Sequence, residues 1–198
     1  MTKRVAVFVS GGGTNLQTLL DAQQSGLLRS GEIALVISSK EGVYALERAK
    51  AAGVPAFVLP RKEIGLEEFE ARSLALLEEY KIDYMVTAGF LTIFSEGFIR
   101  RFPNKMINVH PALIPAFCGK SFYGLRVHEA ALERGVKLTG ATVHFVNEVC
   151  DGGPIIAQRG VEVLPGDTPE TLQRRVMEQA EWVLLPQALE MVCAGEVM

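Results

Sequence analysis

The first half of the sequence alternates between short apolar runs and longer segments in which apolar residues recur with a helical period. Residues 5–9 (VAVFV) form a continuous apolar run, and Leu16, Leu19 and Leu20 follow at helical spacing. Similar strand-like runs occur at residues 33–37, 55–59 and 83–88, and helix-like segments at residues 43–52 and 66–80. Continuous apolar runs are typical of strands buried on both faces, and their alternation with helices indicates parallel β-α-β units. The sequence therefore predicts a single α/β domain with a mostly parallel, twisted sheet and helices on both faces.

Composition narrows the class of function. The chain has 198 residues, which is long enough for one domain with a sizeable core. Lys and Arg number 20 against 23 Asp and Glu, so the net charge of −3 leaves no electrostatic footprint for a nucleic-acid backbone. The three cysteines cannot all pair and none lies in a C-x-x-C motif, which fits a reducing cytosol. With no signal-peptide pattern and no apolar run long enough to cross a bilayer, we expect a cytoplasmic protein that binds neither nucleic acid nor membrane.

A glycine-rich loop, residues 10–15 (SGGGTN), connects the first predicted strand to the first predicted helix. Backbone N–H groups and the helix dipole make such a junction an anion site, although glycine turns of this type also occur empty. The loop is not a dinucleotide fingerprint, because Leu16 stands at the third glycine position and the next strand ends in Ser38-Ser39, with no carboxylate for a ribose diol. It is not a P-loop, since no Gly-Lys-Ser/Thr follows. A single phosphate fits the pattern best.

A second motif begins with the predicted strand 106–110 (MINVH), which Pro111 ends by removing a hydrogen-bond donor. Side chains alternate along a strand, so Asn108 and His110 should emerge on the same side. Polar groups at the carboxyl end of an apolar strand are where an open α/β sheet usually holds its ligand. Together with Asp151, which opens a D-G-G-P turn further along, the pair indicates a functional site rather than a polar strand end.

These motifs also carry a family resemblance. Residues 108–117 (NVHPALIPAF), 144–146 (HFV) and 151–154 (DGGP) resemble the folate-dependent formyltransferases, and especially the group that formylates glycinamide ribonucleotide (GAR). The resemblance runs from about residue 4 to residue 197. It implies a Rossmann-like formyltransferase fold, with a phosphate-binding half at residues 1–105 and a catalytic and folate-binding half at residues 106–198. It also implies a monomer or homodimer that uses 10-formyltetrahydrofolate as cosubstrate and needs no metal.

The resemblance assigns roles residue by residue. The implied catalytic residues are Asn108, His110 and Asp151, the implied GAR-binding residues are Gly13, Thr14, Asn15, Pro111 and Glu181, and the implied folate-binding residues are Phe90, Leu91, Thr92, Ile93, Phe94, Asn108 and Val146. Formyl transfer to an amine needs no protein nucleophile, but it needs donors for the tetrahedral oxyanion and a route for the amine proton. Asn108 and a protonated His110 would supply the donors. Asp151 would favour the imidazolium and take the proton.

Several positions in this chain depart from the family or stay ambiguous. Thr92 stands where relatives often carry Arg, which leaves Arg61 or Lys62 as candidates for gripping an anionic folate tail. Residues 119–128 form a longer segment than in well-known relatives and indicate a mobile loop, with His128 opening a helix at residues 129–134 as a capping or packing residue.

Three further expectations concern the last 60 residues. The predicted strand 139–146 places His144 as a hydrogen-bonded structural histidine rather than a metal ligand. Thr168 is expected to cap the final helix, with Pro169 at its first position. Glu178 and Glu181 share a face of that helix, and such residues lie on the solvated surface unless a ligand requires otherwise.

Alternative functions remain open. A thiol triad of Cys118, His110 and Asp151 is disfavoured, because no helix N-terminus lowers the Cys118 pKa. A nucleotide-binding module would explain the glycine loop but not Asn108, His110 and Asp151. Among folate-linked enzymes, a tRNA formyltransferase should carry a further basic C-terminal domain, and a formyltetrahydrofolate hydrolase a regulatory domain before the first strand. A sugar-amine formyltransferase is the hardest to exclude.

Overall fold

The computed structural model describes residues 2–197 and contains seven strands and seven α-helices within that range. In chain order the elements are β1 (Lys3–Val9), α1 (Thr14–Ser25), β2 (Gly31–Ser38), α2 (Tyr44–Ala51), β3 (Ala56–Val58), α3 (Arg61–Glu79), β4 (Tyr84–Thr87), α4 (Glu96–Ile99), β5 (Met106–His110), α5 (Leu125–Arg134), β6 (Leu138–Phe145), β7 (Ile155–Glu162), α6 (Pro169–Val176) and α7 (Trp182–Ala194). A π-helical turn, Met177–Glu181, joins α6 to α7.

The strands form one sheet in the order β3-β2-β1-β4-β5-β6-β7. The first five strands are parallel, whereas β6 and β7 run antiparallel to their neighbours. The predicted mostly parallel sheet is thus confirmed. Because β1, β4 and β5 are neighbours with the same direction, the segments that follow them all lie at one edge of the sheet. This edge carries the glycine loop, residues 90–94 and Pro111.

Helices cover both faces of the sheet, as predicted. Alternate residues of β1 show the division: Val5, Val7 and Val9 pack in one core cluster with α1 and the α6–α7 segment. Ala6 and Phe8 pack in a second cluster on the opposite face, with side chains from α3 and α4. All five residues are fully buried. Burial on both faces explains why β1 is a continuous apolar run rather than an alternating one.

The starts of two helices differ from the sequence prediction. The α5 helix begins at Leu125 rather than residue 129, since packing of Val127 and His128 into the core extends it, and His128 is fully buried instead of opening the helix. The predicted loop 119–128 is therefore non-helical only up to Gly124. The α3 segment begins at Arg61 but leaves helical geometry at Gly65, so its continuous part starts near the predicted residue 66.

The start of α6 is fixed by a capping arrangement and an ion pair. Thr168 caps the helix through the Thr171 N–H and Pro169 occupies the first helical turn, as predicted. Just before the cap, Asp167 receives two hydrogen bonds of 2.6 Å from the Arg175 guanidinium. The Asp167 side chain is only 4% exposed. These hydrogen bonds hold the pKa of the Asp167 carboxyl well below its usual range, so the carboxylate anchors the segment between β7 and α6.

The Asp167→Asn substitution should destabilise the fold by about 2 kcal/mol, because it removes the charge-assisted hydrogen bonds of a half-buried ion pair with Arg175. Since the folded state lowers this carboxyl pKa, its stabilising contribution is present above the unfolded pKa of about 3.9 and is lost as pH falls from there. Urea denaturation at several pH values should show the gap between wild type and variant shrinking below about pH 4. The matched control, Glu178→Gln, removes an exposed i,i+4 partner of Arg174 and should change stability little. Equal effects of the two substitutions would contradict this role for Asp167.

Candidate active site

A cleft opens at the carboxyl end of β4 and β5. Three strands contribute polar side chains from one row of paired residues, since Thr87 on β4 pairs with Asn108 on β5, and Asn108 pairs with His144 on β6. Paired residues on neighbouring strands point to the same face. The residues that line the cleft are Thr87, Phe90, Thr92, Ile93, Phe94, Ile99, Asn108, His144, Val146, Asn147, Glu148, Val149, Cys150 and Asp151.

Asp151 is placed in this cleft by the turn between β6 and β7. The turn needs Gly153, because a Cβ atom there would lie 1.8 Å from the Phe145 carbonyl oxygen. Asp151 itself adopts a left-handed conformation with φ of 55°, which Asp tolerates better than most residues. Its Oδ2 atom accepts a 2.8 Å hydrogen bond from the Gly119 N–H. The carboxylate therefore also ties this turn to the loop that follows β5.

The structure brings two histidines up to this carboxylate. His110 Nδ1 lies 3.6 Å from Asp151 Oδ2, and His144 Nε2 lies 3.6 Å from Asp151 Oδ1. On its other side, His144 Nε2 lies 3.2 Å from Asn108 Nδ2. The sequence placed Asn108, His110 and Asp151 in one site, and the structure places all three together.

His144 is the functional-site residue that the sequence analysis missed. It is hydrogen-bonded and buried, as expected, with Nδ1 bonded to the Phe145 carbonyl at 2.8 Å. However, its other nitrogen faces both Asn108 and Asp151, so it belongs to the site itself. The signal that could have revealed it is the β5–β6 register, which pairs it with Asn108.

The protonation states of Asp151 and His110 follow from their surroundings. Burial raises the pKa of Asp151, but the adjacent His144 imidazole, the hydrogen bond from the Gly119 N–H and the nearby His110 outweigh that effect and leave the pKa lowered. Burial lowers the pKa of His110, and Asp151 only partly offsets this. The expectation that Asp151 would hold His110 as an imidazolium is therefore wrong, because burial dominates. Near neutral pH the pair consists of a carboxylate and a neutral imidazole.

The glycine loop adjoins this cleft. Leu91 N–H donates to the Ser10 hydroxyl across 3.2 Å, which links the start of the loop to residues 90–94. Gly13 has φ of 72°, and a Cβ atom there would lie 2.6 Å from that of Ala45, so only glycine fits. Helix α1 begins directly afterwards, at Thr14. Its first N–H groups have no helical acceptor, which is the arrangement that binds anions.

Glu181 lies against this helix N-terminus. Asn15 Nδ2 donates to its carboxylate across 3.0 Å, and Glu181 is only 7% exposed. Burial raises the pKa of this carboxyl. The default of a solvated surface holds for Glu178, which pairs with Arg174 in solvent, whereas Glu181, which the resemblance assigns to GAR binding instead, is buried. The π-helical turn Met177–Glu181 changes the phase between the two residues, which a regular helical period could not predict.

Most of the residues expected to bind folate line the cleft, and Leu91 is the exception. Phe90 and Phe94 stack with ring centroids 5.3 Å apart. Leu91, 60% exposed, is not among the lining residues. None of the cleft's described lining residues is Lys or Arg, and the suggested tail cations Arg61 and Lys62 begin α3 instead.

Cysteine chemistry is disfavoured at this site. Burial and the Asp151 carboxylate both raise the pKa of the Cys118 thiol and the pKa of the Cys150 thiol. A thiol held in its protonated form is a poor nucleophile, so the structure gives no support to a Cys118 triad. Within residues 2–197, no group of three or more His, Cys, Asp or Glu side chains is arranged to hold a metal ion. No helix in that range has the length and apolar character needed to cross a membrane.

Comparisons with known proteins are consistent across sequence and structure. The "Formyl transferase" family model matches residues 3–189. A phosphoribosylglycinamide formyltransferase from Haemophilus influenzae is 38% identical over 196 residues, covering 98% of this chain and 89% of the relative. A glycinamide ribonucleotide transformylase 1 from Symbiobacterium toebii superposes with a TM-score of 0.91 at 39% identity, covering 100% of this chain and 90% of that one.

A longer relative matches through one part only. The trifunctional purine biosynthetic protein adenosine-3 of Gallus gallus is 43% identical over 195 residues. The match covers 98% of this chain but 19% of the relative, so this chain spans about a fifth of that protein.

The electrostatic effect of Asp151 on His110 can be tested by measuring the pKa of His110. Asp151→Asn should lower the His110 pKa further, because it removes the carboxylate that favours the imidazolium. A pH titration of the imidazole C2–H signals by NMR, assigned with a His110→Asn variant, would measure this shift. Glu148→Gln is the control, since the Glu148 carboxylate bonds Arg100 at the cleft rim instead, and it should leave the His110 pKa unchanged. A higher or unchanged His110 pKa in Asp151→Asn would contradict the electrostatic account.

Proposed function

Because this chain belongs to the formyl transferase family, we propose that it transfers the formyl group of 10-formyltetrahydrofolate to the amine of 5′-phosphoribosylglycinamide (GAR). The products are N-formyl-GAR and tetrahydrofolate, a step of de novo purine synthesis. The observation that carries this proposal is that Asn108 and Asp151 line one cleft, with His110 Nδ1 3.6 Å from the Asp151 carboxylate. This cleft adjoins the glycine loop that leads into the N-terminus of α1. The cleft suits a formyl donor and the helix N-terminus suits a phosphorylated acceptor.

The reaction needs no nucleophile from the protein. The GAR amine forms a bond to the formyl carbon and gives a tetrahedral intermediate whose oxygen carries negative charge. Asn108 supplies an amide N–H donor to that oxygen. Preorganised donors of this kind act where charge develops and are among the larger contributions to catalysis. When the bond between the carbon and N10 of the folate breaks, the formyl group remains on GAR.

Asp151 and His110 accept the proton of the attacking amine and return it to the leaving group. The attacking amine loses a proton, and the Asp151 carboxylate, ionised near neutral pH, takes it directly or through one water. His110 Nδ1 lies 3.6 Å from the same carboxylate, and in the neutral imidazole it can share that proton. The proton then passes to N10 of the departing tetrahydrofolate, so that no net proton is gained or lost. A carboxylate and a neutral imidazole form a suitable pair for accepting a proton and returning it.

The acceptor site is proposed from three neighbouring features. The N–H groups at Gly13, Thr14 and Asn15 bind the GAR phosphate at the start of α1. The buried carboxylate of Glu181, held by Asn15, accepts hydrogen bonds from ribose hydroxyls. Pro111 follows β5 directly and borders the path from this acceptor site to the cleft.

The folate site is the cleft itself. Phe90, Ile93, Phe94 and Val146 provide apolar surface for the pterin ring, while Asn108 reaches the formyl group at its inner end. Thr92, one of the lining residues, offers a hydroxyl group at the position where relatives often carry an Arg that could bind the anionic folate tail. The three unpaired cysteines suit a reducing compartment, and the cytoplasm is the proposed location.

The function is tested by dependence on the acceptor. Purified protein given 10-formyltetrahydrofolate should release tetrahydrofolate rapidly only when GAR is added, with an equal amount of formyl-GAR formed. The dephosphorylated analogue of GAR should react with a much higher KM, because it lacks the group that the helix N-terminus binds. Rapid release without any acceptor would identify a hydrolase instead. Turnover with an amino sugar nucleotide but not with GAR would overturn the acceptor assignment and keep the fold and chemistry.

Asn108→Ala should lower kcat by about 10²–10³-fold, as expected for loss of one oxyanion donor, and Asp151→Asn should also suppress turnover because the proton acceptor is lost. Both variants should keep a native circular dichroism spectrum. Glu178→Gln, which changes an exposed carboxylate near Glu181, should retain wild-type rates. An Asn108→Ala rate within a factor of about three of wild type would remove Asn108 from the mechanism.

A further inference from the structure

We propose that Thr87 is a positioning residue that fixes which way the Asn108 amide faces, an inference that rests on the proposed function. Thr87 is the last residue of β4 and is 7% exposed. Its hydroxyl lies 2.7 Å from Asn108 Oδ1. The two residues are paired across β4 and β5, so the contact is set by the sheet register rather than by a flexible loop.

The direction of each hydrogen bond in this row follows from a fixed starting point. The Phe145 carbonyl, which can only accept, lies 2.8 Å from His144 Nδ1, so Nδ1 carries a proton. In the neutral imidazole, Nε2 is then an acceptor. Asn108 Nδ2, 3.2 Å away, is the donor that meets it. The amide is therefore oriented with its nitrogen toward His144 and its oxygen toward Thr87.

Thr87 completes this row of hydrogen bonds by donating its hydroxyl proton to Asn108 Oδ1. The hydroxyl also lies 3.3 Å from the Ile107 carbonyl, but the 2.7 Å contact with Asn108 is the shorter one and takes the proton. One N–H of Asn108 is then engaged by His144, while the second is free to point into the cleft. If the Asn108 amide were rotated by about 180°, its oxygen rather than its nitrogen would face the cleft. That oxygen would repel the developing oxyanion. The Thr87 hydroxyl thus favours the one orientation in which Asn108 acts as a donor.

Kinetics of two Thr87 variants test this role. Thr87→Val keeps the shape but removes the hydroxyl, and should lower kcat about tenfold, less than loss of the Asn108 donor itself. The KM values for both substrates should stay close to wild type, because valine keeps the shape of the cleft lining and the Thr87 hydroxyl is engaged by Asn108 rather than by a substrate. Thr87→Ser restores a hydroxyl and should recover most of the lost kcat. Wild-type kcat in Thr87→Val, or no recovery in Thr87→Ser, would overturn the proposal.

A readout without turnover separates this inference from the proposed function. In ¹⁵N NMR of the substrate-free protein, neutral His144 should carry its proton on Nδ1 in wild type and in Thr87→Ser. Thr87→Val should populate the amide orientation that places Asn108 Oδ1 toward His144, which favours a proton on Nε2. An unchanged tautomer and unchanged Asn108 side-chain signals in Thr87→Val would count against the inference, whatever substrate the protein proves to use. If wild type fails to formylate GAR while the tautomer shifts as expected, the proposed function is wrong and the positioning role stands.

Discussion

The carboxylate of Asp151 has to be satisfied inside the protein, since its side chain is 11% exposed. The Gly119 N–H binds it from the loop after β5, while His110 and His144 approach it from β5 and β6. A buried carboxylate without such partners would be costly. The Asp151 carboxylate therefore contacts two strands and one loop from its own turn, and the cleft forms where these four segments meet.

The reversal of strand direction after β5 is what makes this convergence possible. Here β6 runs antiparallel and places His144 next to Asn108. The short return into β7 then carries Asp151 back to the same edge. The parallel strands supply the glycine loop, and the antiparallel pair completes the polar cluster.

Local patterns predicted much of this site, and long-range geometry accounts for the rest. Pro111 and the apolar alternation fixed the bounds of β5 and placed Asn108 and His110 on one side. The involvement of His144 depends on the register between β5 and β6, which no local pattern specifies. The neutral state of His110 depends on burial outweighing one nearby carboxylate, a balance that needs the packed structure.

The buried Glu181 carboxyl destabilises the folded protein when it is ionised. Burial raises its pKa, so the folded state holds a proton there more tightly than the unfolded chain does. The resulting penalty is absent at acidic pH and grows as pH rises above the ordinary carboxyl pKa. A ligand that supplies hydroxyl donors to this carboxylate would lessen the penalty, and so would stabilise the protein beyond its other contacts. The π-helical turn that buries Glu181 thereby couples protonation, folding and ligand occupancy at one position.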